Sequence, residues 1–586
     1  MRRPVTFAIA ALLLAVAPLV LPEFYVTQLN YIGLFSMVTL GLVLLTGVGG
    51  LTSFGQAAFV GLGAYMTAVL TTAYGVSPWI TLPLGVAFTT LVALALGFLT
   101  LRLSGHYLPL STIAWGISLY FLFGNFDLLG GHTGISNIPA LEIAGLKLDT
   151  GRRFYYLIWA GTLLALLGVQ NLLDSRPGRA IRALKRGSVM AEAFGVDTSR
   201  TKILIFVYAA LLAALSGWLY AHLLRFVNPT PFGINIGIEY LFMAVIGGSS
   251  HVWGAIAGAS ILTLLKQWLQ DWLPSVIGRE GNFEMIVFGV LMVLLLHRAR
   301  EGVMPLIGRL LPASPTPPTP APRPPLPARP RPAAGESLLQ VRSAQKNFGG
   351  LVAVNEMSFS MASGEILGLI GPNGAGKSTM FNLITGVLPL SGGEIHFRGG
   401  RIDGLPARRI VRHGIARTFQ HVNLIPEMTV LDNAALGAHL RGRRGMLSAS
   451  FRLNRDEESS LRSEAARQLA RVGLGEHLFE QAGSLPLGQQ RIIEVARALC
   501  ADPVLVLLDE PGAGLRYLEK EALAELIRKL RSEGISILLV EHDMDFVMNL
   551  VDRVVVMDFG RKLAEGDPAA VQSNPEVHEA YLGGVS

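Results

Sequence analysis

The sequence predicts two unlike halves: an N-terminal polytopic α-helical membrane domain of about ten spans and a C-terminal α/β domain of the P-loop type. Residues up to 298 form long apolar runs, residues after 338 follow a mixed α/β pattern, and a Pro-rich stretch separates them. With 51% hydrophobic and 16% charged residues in 586, the composition excludes a single soluble domain and a mainly disordered chain.

Each candidate span approaches the roughly 20 apolar residues that cross a bilayer. We expect spans at residues 5–21, 31–48, 54–74, 78–101, 107–123, 154–173, 203–224, 236–248, 252–269 and 283–297. The eighth and ninth are short, so they also fit one re-entrant or broken element. The first also fits a cleavable signal peptide, because a basic start and a short apolar run precede Ala15-Val-Ala17.

Charge and cysteine content predict where the second half lies. Basic residues cluster at Arg2 and Arg3, in 176–202 and after residue 297, so an even span count with both ends in the cytosol satisfies the positive-inside rule. A single cysteine, Cys500, excludes an intrachain disulfide and fits a reducing cytosol. The net charge of +7 is too mild to indicate nucleic acid binding.

The composition places the membrane domain at residues 1–304, a Pro-rich linker at 305–336 and the soluble domain at 337–586. Residues 312–332 should extend as polyproline II, reaching about 65 Å at about 3.1 Å per residue. The favoured interpretation is a spacer without a binding role. The alternative is a docking site for a domain that binds Pro-rich segments.

A phosphate-binding loop follows the buried strand expected at 365–370 and precedes an apolar helical pattern. Glycines let backbone N–H groups close around phosphate oxygens, while the lysine reaches the β and γ phosphates and Ser378 offers a hydroxyl to Mg²⁺. The loop comprises Gly371, Pro372, Asn373, Gly374, Ala375, Gly376, Lys377, Ser378 and Thr379. We therefore expect ATP and Mg²⁺ as ligands.

A second buried strand, 504–508, ends in the adjacent carboxylates Asp509 and Glu510. Ligands of parallel sheets bind at the carboxyl ends of the strands. Asp509 is therefore predicted to hold the Mg²⁺ shell and Glu510 to activate the attacking water as a general base.

With these motifs, residues 338–586 resemble the ATP-binding subunit of ABC transporters. The resemblance implies an ABC ATPase fold with a helical subdomain. It also implies that Phe348 stacks on adenine, that Gln420 in ARTFQ contacts the nucleotide and metal, and that His542 in LLVEHD is the catalytic switch histidine.

The signature segment departs from the common Leu-Ser-Gly-Gly-Gln, because it has the sequence LPLGQQR. By resemblance, Gly488 and Gln489 serve the nucleotide held by a partner subunit. Pro486 lacks the hydroxyl of the common form, and Arg516 stands where Asp or Asn is usual. Because of these departures, an ATP-binding regulator with weak hydrolysis remains an alternative function.

Both halves resemble the same system, a branched-chain amino acid ABC transporter. The soluble half resembles its LivG-type ATP-binding subunit through RTFQHVNLIPEMTVLDNAALG and GQQRIIEVARAL, and the membrane half its LivM-type permease through GLTSFGQAAFVGLGAYMTAVL and EYLFMAVIGGSSHVWGAIAGA. This implies a permease and an ATPase fused in one ATP-driven importer chain. Urea, amides and aromatic acids remain alternative solutes, and an exporter with the same ATPase is a second class.

The resemblance further implies a coupling segment, partners and a location. The segment Glu192, Ala193, Phe194 and Gly195 would transmit ATPase closure to the permease; a membrane-surface anchor is the alternative. Polar candidates for the solute path are Gln56 and Glu239, followed by Ser53, Tyr65, Thr112 and Asn125. A second permease and ATPase, or a second copy, and an extracytoplasmic solute-binding protein are expected, in a bacterial-type inner membrane.

Overall fold

The computed structural model describes residues 14–101, 103, 107–277, 287, 289–290, 293–294, 297–298, 301–310 and 318–582. The chain divides into two compact units. The first contains residues 1–174, 199–315 and 449–452, and the second contains 175–198, 316–448 and 453–586.

The described part of the first unit is mainly helical. Five of its described helices, with the π-helical turn Val43–Val48 extending the first, are long and apolar enough to cross a membrane: Glu23–Val48, Pro78–Thr100, Tyr107–Asn125, Gly151–Leu173 and Thr198–Leu224. Further helices are Gln56–Thr72, Ile234–Gly247, Gly254–Ile277 and Met304–Leu310. Except for Met304–Leu310, these helices coincide in position with the expected second to ninth spans. The expected first span, 5–21, lies partly outside the described residues, and the tenth, 283–297, lies largely outside them.

The expected eighth and ninth spans form two helices with a close crossing. Ile234–Gly247 and Gly254–Ile277 approach so tightly that a Cβ on Gly258 would overlap the carbonyl oxygen of Met243. Small residues permit such close backbone approach between membrane helices. The helix Gly254–Ile277 continues past residue 269, the expected end of the ninth span, because the polar residues that follow are also helical.

The second unit contains a six-stranded sheet, here called the sheet core. Its order is Ile415–Arg417, Leu505–Asp509, Ser536–Val540, Ile366–Ile370, Arg553–Asp558 and Arg561–Gly566, and only the last strand is antiparallel to its neighbour. The central strands are apolar apart from residues at strand ends such as Asp509 and Ser536, and each packs hydrophobic side chains on both faces. The parallel order brings their carboxyl ends to one edge.

Two smaller layers complete the second unit. An antiparallel sheet contains Leu351–Ala362, Ser337–Phe348, Gly392–Phe397 and Gly400–Arg401 in that order. A group of helices, here called the helical lobe, includes Val430–Gly437, Arg455–Arg471 and Leu487–Leu499 around its own hydrophobic cluster. The helix Leu487–Leu499 also contributes to the core beside the sheet, so it joins the two layers.

Further helices and short strands are as follows. The second unit also contains the helices Arg176–Leu184, Ser188–Ala193, Lys377–Ile384, Ala407–His413, Tyr517–Ser532, Met544–Met548, Pro568–Gln572 and Pro575–Leu582. The first unit has the short strands Ile135–Ser136, Leu141–Ile143, Leu146–Leu148 and Phe226–Val227.

Candidate functional site

The predicted phosphate loop connects the strand Ile366–Ile370 to the helix Lys377–Ile384. Gly371 has φ +152° and Gly376 has φ +102°, values that favour glycine. A Cβ at Gly371 would also overlap the carbonyl oxygen of Met557. Glycine is therefore needed here for backbone shape and for close packing.

Lys377 lies buried at the start of this helix and points back into the loop. Its Nζ donates to the carbonyl oxygens of Gly371 at 2.7 Å and Pro372 at 2.9 Å. Burial lowers the pKa of Lys377, and the nearby carboxylates of Glu510 and Asp509 oppose that shift. The ammonium group is thus held at the loop and balanced by two acids.

Asp509 ends the buried strand Leu505–Asp509 and is 3% exposed. Its backbone N–H donates to Thr418 Oγ1 at 3.3 Å, and a guanidinium nitrogen of Arg417 lies 3.8 Å from its Oδ2. Burial raises the pKa of the Asp509 carboxyl, whereas the Arg417 charge lowers it. Sequence analysis missed Arg417, although a basic residue within a short buried strand is an identifiable signal.

Magnesium is compatible with the residues present. Oδ1 of Asp509 is buried without a hydrogen-bond partner among the described residues, so it is available to a cation. Ser378 is exposed at the start of the phosphate-loop helix and supplies a second oxygen. Within the described ranges, no group of three or more His, Cys, Asp or Glu side chains forms a metal site. Mg²⁺ needs no such group, because it usually takes few protein oxygens together with phosphates and waters.

Three predicted residues from three parts of the sequence meet beside Asp509. Gln420 Nε2 donates to Glu510 Oε1 at 3.1 Å, and His542 Nε2 lies 2.7 Å from the same oxygen. The Glu510 side chain is 14% exposed and that of His542 is 42% exposed. The group therefore borders solvent, where a water molecule and a phosphate can approach the carboxylate.

The backbone also fixes Glu510. Its φ of +47° is uncommon for a residue other than glycine and costs about 1–3 kcal/mol. The Glu510 N–H donates to the Val540 carbonyl oxygen at 2.9 Å, and Arg491 donates to the Glu510 carbonyl oxygen at 2.8 Å. Because Arg491 lies on the helix Leu487–Leu499, here called the signature helix, this contact links the backbone of Glu510 to the helical lobe.

Phe348 ends the strand Ser337–Phe348 with a ring that is 45% exposed. The Nζ of Lys346 lies 5.1 Å from the ring centroid. An exposed ring has a face available for stacking on a base, as the sequence predicts.

The C-terminal helix was missed by sequence analysis. Pro575–Leu582 and the phosphate loop line one cavity of about 590 Å³. The helix brings Glu576 and Glu579 to this cavity opposite Asn373 and Gly374. The position of this helix against the loop depends on tertiary folding, which local sequence does not reveal.

The signature segment lines a different cavity, of about 340 Å³, which contains Gly488 and Gln489. Pro486 precedes the helix Leu487–Leu499 and makes no side-chain cap. A Cβ on Gly488 would lie 2.8 Å from Oε1 of Glu519, and the N–H of Arg516 donates to the other oxygen of that carboxylate at 2.8 Å. The phosphate loop and the signature segment are therefore separate surfaces of one unit.

The predicted coupling residues pack within the second unit. Phe194 and Ala193 are buried, and Phe194 belongs to a hydrophobic cluster with Ile425 and Met428, which follow Gln420 in the sequence. Glu192 accepts a hydrogen bond from Thr198 Oγ1 at 2.6 Å. Gly195 has φ +83°, and a Cβ there would overlap the side chain of Leu440.

A buried ion pair beside this cluster was also missed. Arg497 and Glu494 lie on the signature helix, with Nη2 and Oε1 2.9 Å apart. Arg497 stacks on Phe194 at 4.4 Å from the ring centroid and donates to the Asn423 carbonyl oxygen at 3.0 Å. Burial raises the pKa of Glu494, although Arg497 lowers it. The pair joins the signature helix, the segment after Gln420 and the coupling segment.

A second ionic group anchors the helix Arg176–Leu184, which precedes the coupling segment in the chain. Arg179 is buried and pairs with both carboxylate oxygens of Glu458, and it lies 3.6 Å from Asp432. Burial opposes the charge of Arg179, but the two acids hold its pKa above the usual value. Long-range pairing of this kind has no local sequence signal.

The two principal solute-path candidates, Gln56 and Glu239, both lie in the first unit but differ in whether their side chains have partners. Gln56 is fully buried, and neither atom of its amide has a hydrogen-bond partner among the described residues. Glu239 instead pairs with Lys266 at 2.7 Å. An unsatisfied buried amide is costly, so Gln56 is the better candidate for contact with a polar solute.

Comparison with known proteins identifies the family. A model of the branched-chain amino acid transport system permease component matches residues 24–296, an ABC transporter model matches 354–513, and a model of branched-chain amino acid ATP-binding cassette transporters matches 561–585. LivG of Salmonella typhimurium, a high-affinity branched-chain amino acid transport ATP-binding protein, is 44% identical over 251 residues, covering 42% of this chain and 98% of LivG. The chain belongs to the branched-chain amino acid ABC transporter family.

Two further similarities concern the ATP-binding half. BraF of Pseudomonas aeruginosa, also a high-affinity branched-chain amino acid transport ATP-binding protein, is 42% identical over 249 residues, covering 42% of this chain and 98% of BraF. The crystal structure of a nucleotide-free ATP-binding cassette from an ABC transporter is 32% identical with a TM-score of 0.39, covering 42% of this chain and all of that one.

Family membership confirms the fused organisation predicted from sequence. The N-terminal half is a permease domain, the C-terminal half is an ABC ATPase domain that binds ATP, and ATP hydrolysis is coupled to transport across a membrane. Transporters of this type work with a second subunit.

Proposed function

We propose that this chain imports branched-chain amino acids or related small polar solutes, with ATP hydrolysis at Glu510 driving the permease half. The meeting of Gln420, Glu510 and His542 at the carboxyl ends of the sheet strands is the main support. The names of LivG and BraF support branched-chain amino acids ahead of urea, amides and aromatic acids.

Each group at the nucleotide has a proposed role. The backbone N–H groups of residues 373–379 bind phosphate oxygens, Lys377 binds the β and γ phosphates, and Phe348 stacks on adenine. Glu510 accepts a proton from the attacking water, while His542 and Gln420 orient the carboxylate and the γ-phosphate.

Mg²⁺ would be held by Asp509, Ser378 and Gln420. When bound, it neutralises charge on the phosphate oxygens. Burial raises the pKa of Asp509, and the nearby Arg417 opposes that shift by favouring the ionised carboxylate that would bind a cation.

Gly488 and Gln489 are proposed to contact the nucleotide of a partner ATPase. Their location in a cavity separate from the phosphate loop supports this, because one unit then contributes to two different sites. The complete assembly is proposed to contain a second permease and ATPase, or a second copy, and an extracytoplasmic solute-binding protein.

We place the chain in a bacterial-type inner membrane with about ten spans and a cytosolic ATPase. The proposed boundaries are 1–304 for the permease, 305–336 for the linker and 337–586 for the ATPase. Residues 192–195 are proposed to couple the permease and the ATPase. Gln56 is proposed to line the solute path, and Glu239 is a second candidate with less support.

Uptake into proteoliposomes tests the proposal. The full chain would be reconstituted with its partner subunits and binding protein, and ATP-driven accumulation of labelled leucine measured against competing urea, amides and aromatic acids. We expect leucine uptake that only branched-chain amino acids compete for, and no uptake with Lys377→Ala. ATP-driven uptake of urea or aromatic acids in place of leucine would overturn the solute class, and no ATP-driven uptake of any of them would overturn import.

A further inference from the structure

The Pro-rich segment has a repeating pattern of burial in the second unit. Its half-buried residues are spaced by three: Pro320, Arg323, Leu326, Arg329 and Pro332. The residues between them are exposed. Polyproline II has three residues per turn, so a single edge of such a helix faces the domain. A free spacer would have no reason to bury every third residue.

One end of this edge contacts the helical lobe. The N–H of Arg323 donates to Ser463 Oγ at 3.1 Å, its carbonyl oxygen accepts from Arg467 at 3.1 Å, and its guanidinium pairs with Asp456 at 3.2 Å. Leu326 packs against the hydrophobic cluster of the same lobe. Backbone, charge and apolar surface therefore all contribute to this end.

The other end contacts loops and a helix that flank the sheet core. The N–H of Arg329 donates to Asp502 Oδ2 at 2.5 Å, and its guanidinium donates to the Val411 carbonyl oxygen at 3.3 Å. The Pro332 carbonyl oxygen accepts from Ser363 Oγ at 3.3 Å. Two of the few backbone N–H groups in a Pro-rich segment are thus bonded, one to each part of the unit.

We propose that residues 318–332 are a strap that the ATPase unit binds through the Arg323–Leu326–Arg329 edge, and that the strap holds the helical lobe against the sheet core. The three-residue period of burial fits polyproline II, whose backbone groups are not used internally and whose stiffness lowers the entropy cost of binding. The recognised ligand is a Pro- and Arg-rich extended segment of the same chain.

Cysteine labelling of the full chain tests the docked edge. The only native cysteine, Cys500, is buried, and burial raises the pKa of its thiol, so a Cys500→Ala background removes a slowly reacting site. Single cysteines would replace Pro325, Leu326, Ala328 and Arg329, and maleimide labelling rates would be normalised to those in denaturant.

We expect labelling at 326 and 329 to be about tenfold slower than at 325 and 328, because a strap held by about 1.4 kcal/mol is open about one tenth of the time. Equal normalised rates at all four positions would overturn docking.

A matched pair of triple variants tests the restraint. Arg323→Ser, Leu326→Ser and Arg329→Ser remove the docked edge, whereas Pro322→Ser, Pro325→Ser and Ala328→Ser change exposed positions one residue earlier. Amide exchange in the helix Arg455–Arg471 should become about tenfold faster only in the edge variant. Retained binding of a fluorescent ATP analogue would establish that both variants are folded.

Unchanged exchange in the edge variant, or equal acceleration in both, would show that the strap does not hold the lobe. Neither measurement depends on transport, so this proposal and the proposed import activity fail independently.

Discussion

Two acid–base pairs in the second unit share chemistry but differ in their surroundings. In the hydrolytic pair, Glu510 and His542 lie 2.7 Å apart with side chains 14% and 42% exposed. In the coupling pair, Glu494 and Arg497 lie 2.9 Å apart with side chains 3% and 0% exposed. The first pair borders solvent and the second is enclosed by protein.

This difference in exposure indicates that the first pair suits catalysis and the second suits a structural link between segments. An acid near solvent can exchange its partner for a water molecule at little cost, which a general base requires. A buried ion pair cannot lose one member without leaving an uncompensated charge. The coupling pair is therefore suited to holding three segments together throughout the transport cycle. Variants of the two pairs should consequently lose different properties.

Removing the charge of Glu510 should give the largest effect. We expect Glu510→Gln to lower ATP turnover by about 10²–10⁴-fold, because the amide cannot accept the proton of the attacking water. ATP binding should persist, since Lys377 and the loop remain. Turnover and binding of a fluorescent ATP analogue would be measured on the reconstituted complex. Glu476→Gln changes an exposed acid and serves as control; turnover within threefold of wild type in Glu510→Gln would exclude Glu510 as the base.

Breaking the coupling pair should reduce stability rather than nucleotide chemistry. Arg497→Met leaves Glu494 buried and unpaired, and we expect the free energy of local opening to fall by about 3–5 kcal/mol. Native-state amide exchange in the helix Leu487–Leu499 measures this. Arg443→Met replaces an exposed arginine and should have little effect.

The double variant Glu494→Gln with Arg497→Met identifies the cause. The glutamine removes the unpaired charge and retains an acceptor for the Asn423 N–H, which now bonds Glu494 at 2.8 Å. It should therefore be less destabilised than Arg497→Met alone. Equal destabilisation would assign the loss to packing on Phe194 instead of charge.

The same contrast explains what could be predicted from sequence. Phosphate loop, Asp509, Glu510 and the buried strands were predictable because the residues act through backbone conformation and local order along the chain. Gln420 and His542 were predictable only by resemblance, since their convergence depends on the sheet order. Family membership confirms the fused permease and ATPase, while the roles of individual residues remain predictions.

The missed contacts are long-range in sequence. Arg179 pairs with Glu458, and Arg497 stacks on Phe194, across hundreds of residues, so no spacing rule reveals them. The linker shows a different difficulty. Its Pro-rich composition predicts an extended conformation with three residues per turn, but composition contains no information on which edge of such a helix another surface will bind.

The last expected effect depends on pH and concerns the surroundings of the coupling segment. His439 is half-buried, and burial together with the positive charges of Arg176, Arg179 and Arg412 lowers its pKa to about 3. An NH group of Arg176 lies 3.3 Å from its Nε2, an arrangement that requires the neutral ring to accept. An unfolded histidine takes up a proton near pH 6.5.

Below that pH the unfolded segment therefore binds more protons than the folded one, and stability falls as the pH decreases. His439 contributes fully to the free energy of unfolding above pH 6.5. This contribution is lost as the pH falls towards 3, at up to about 1.4 kcal/mol per pH unit. Asp432 and Glu458 do not add to this between pH 5 and 6.5, because both have a lowered carboxyl pKa and stay ionised there.

We expect the opening free energy of the helix Val430–Gly437, from amide exchange corrected for intrinsic rates, to fall between pH 6.5 and 5 in the wild type and to remain nearly level in His439→Gln. His421→Gln removes an exposed histidine and should keep the wild-type slope. A wild-type slope in His439→Gln would assign the acid sensitivity to another group. Because the hydrolytic pair borders solvent, ATP-analogue binding at pH 7 should be the same in all three proteins, which separates the stability of the coupling region from nucleotide chemistry.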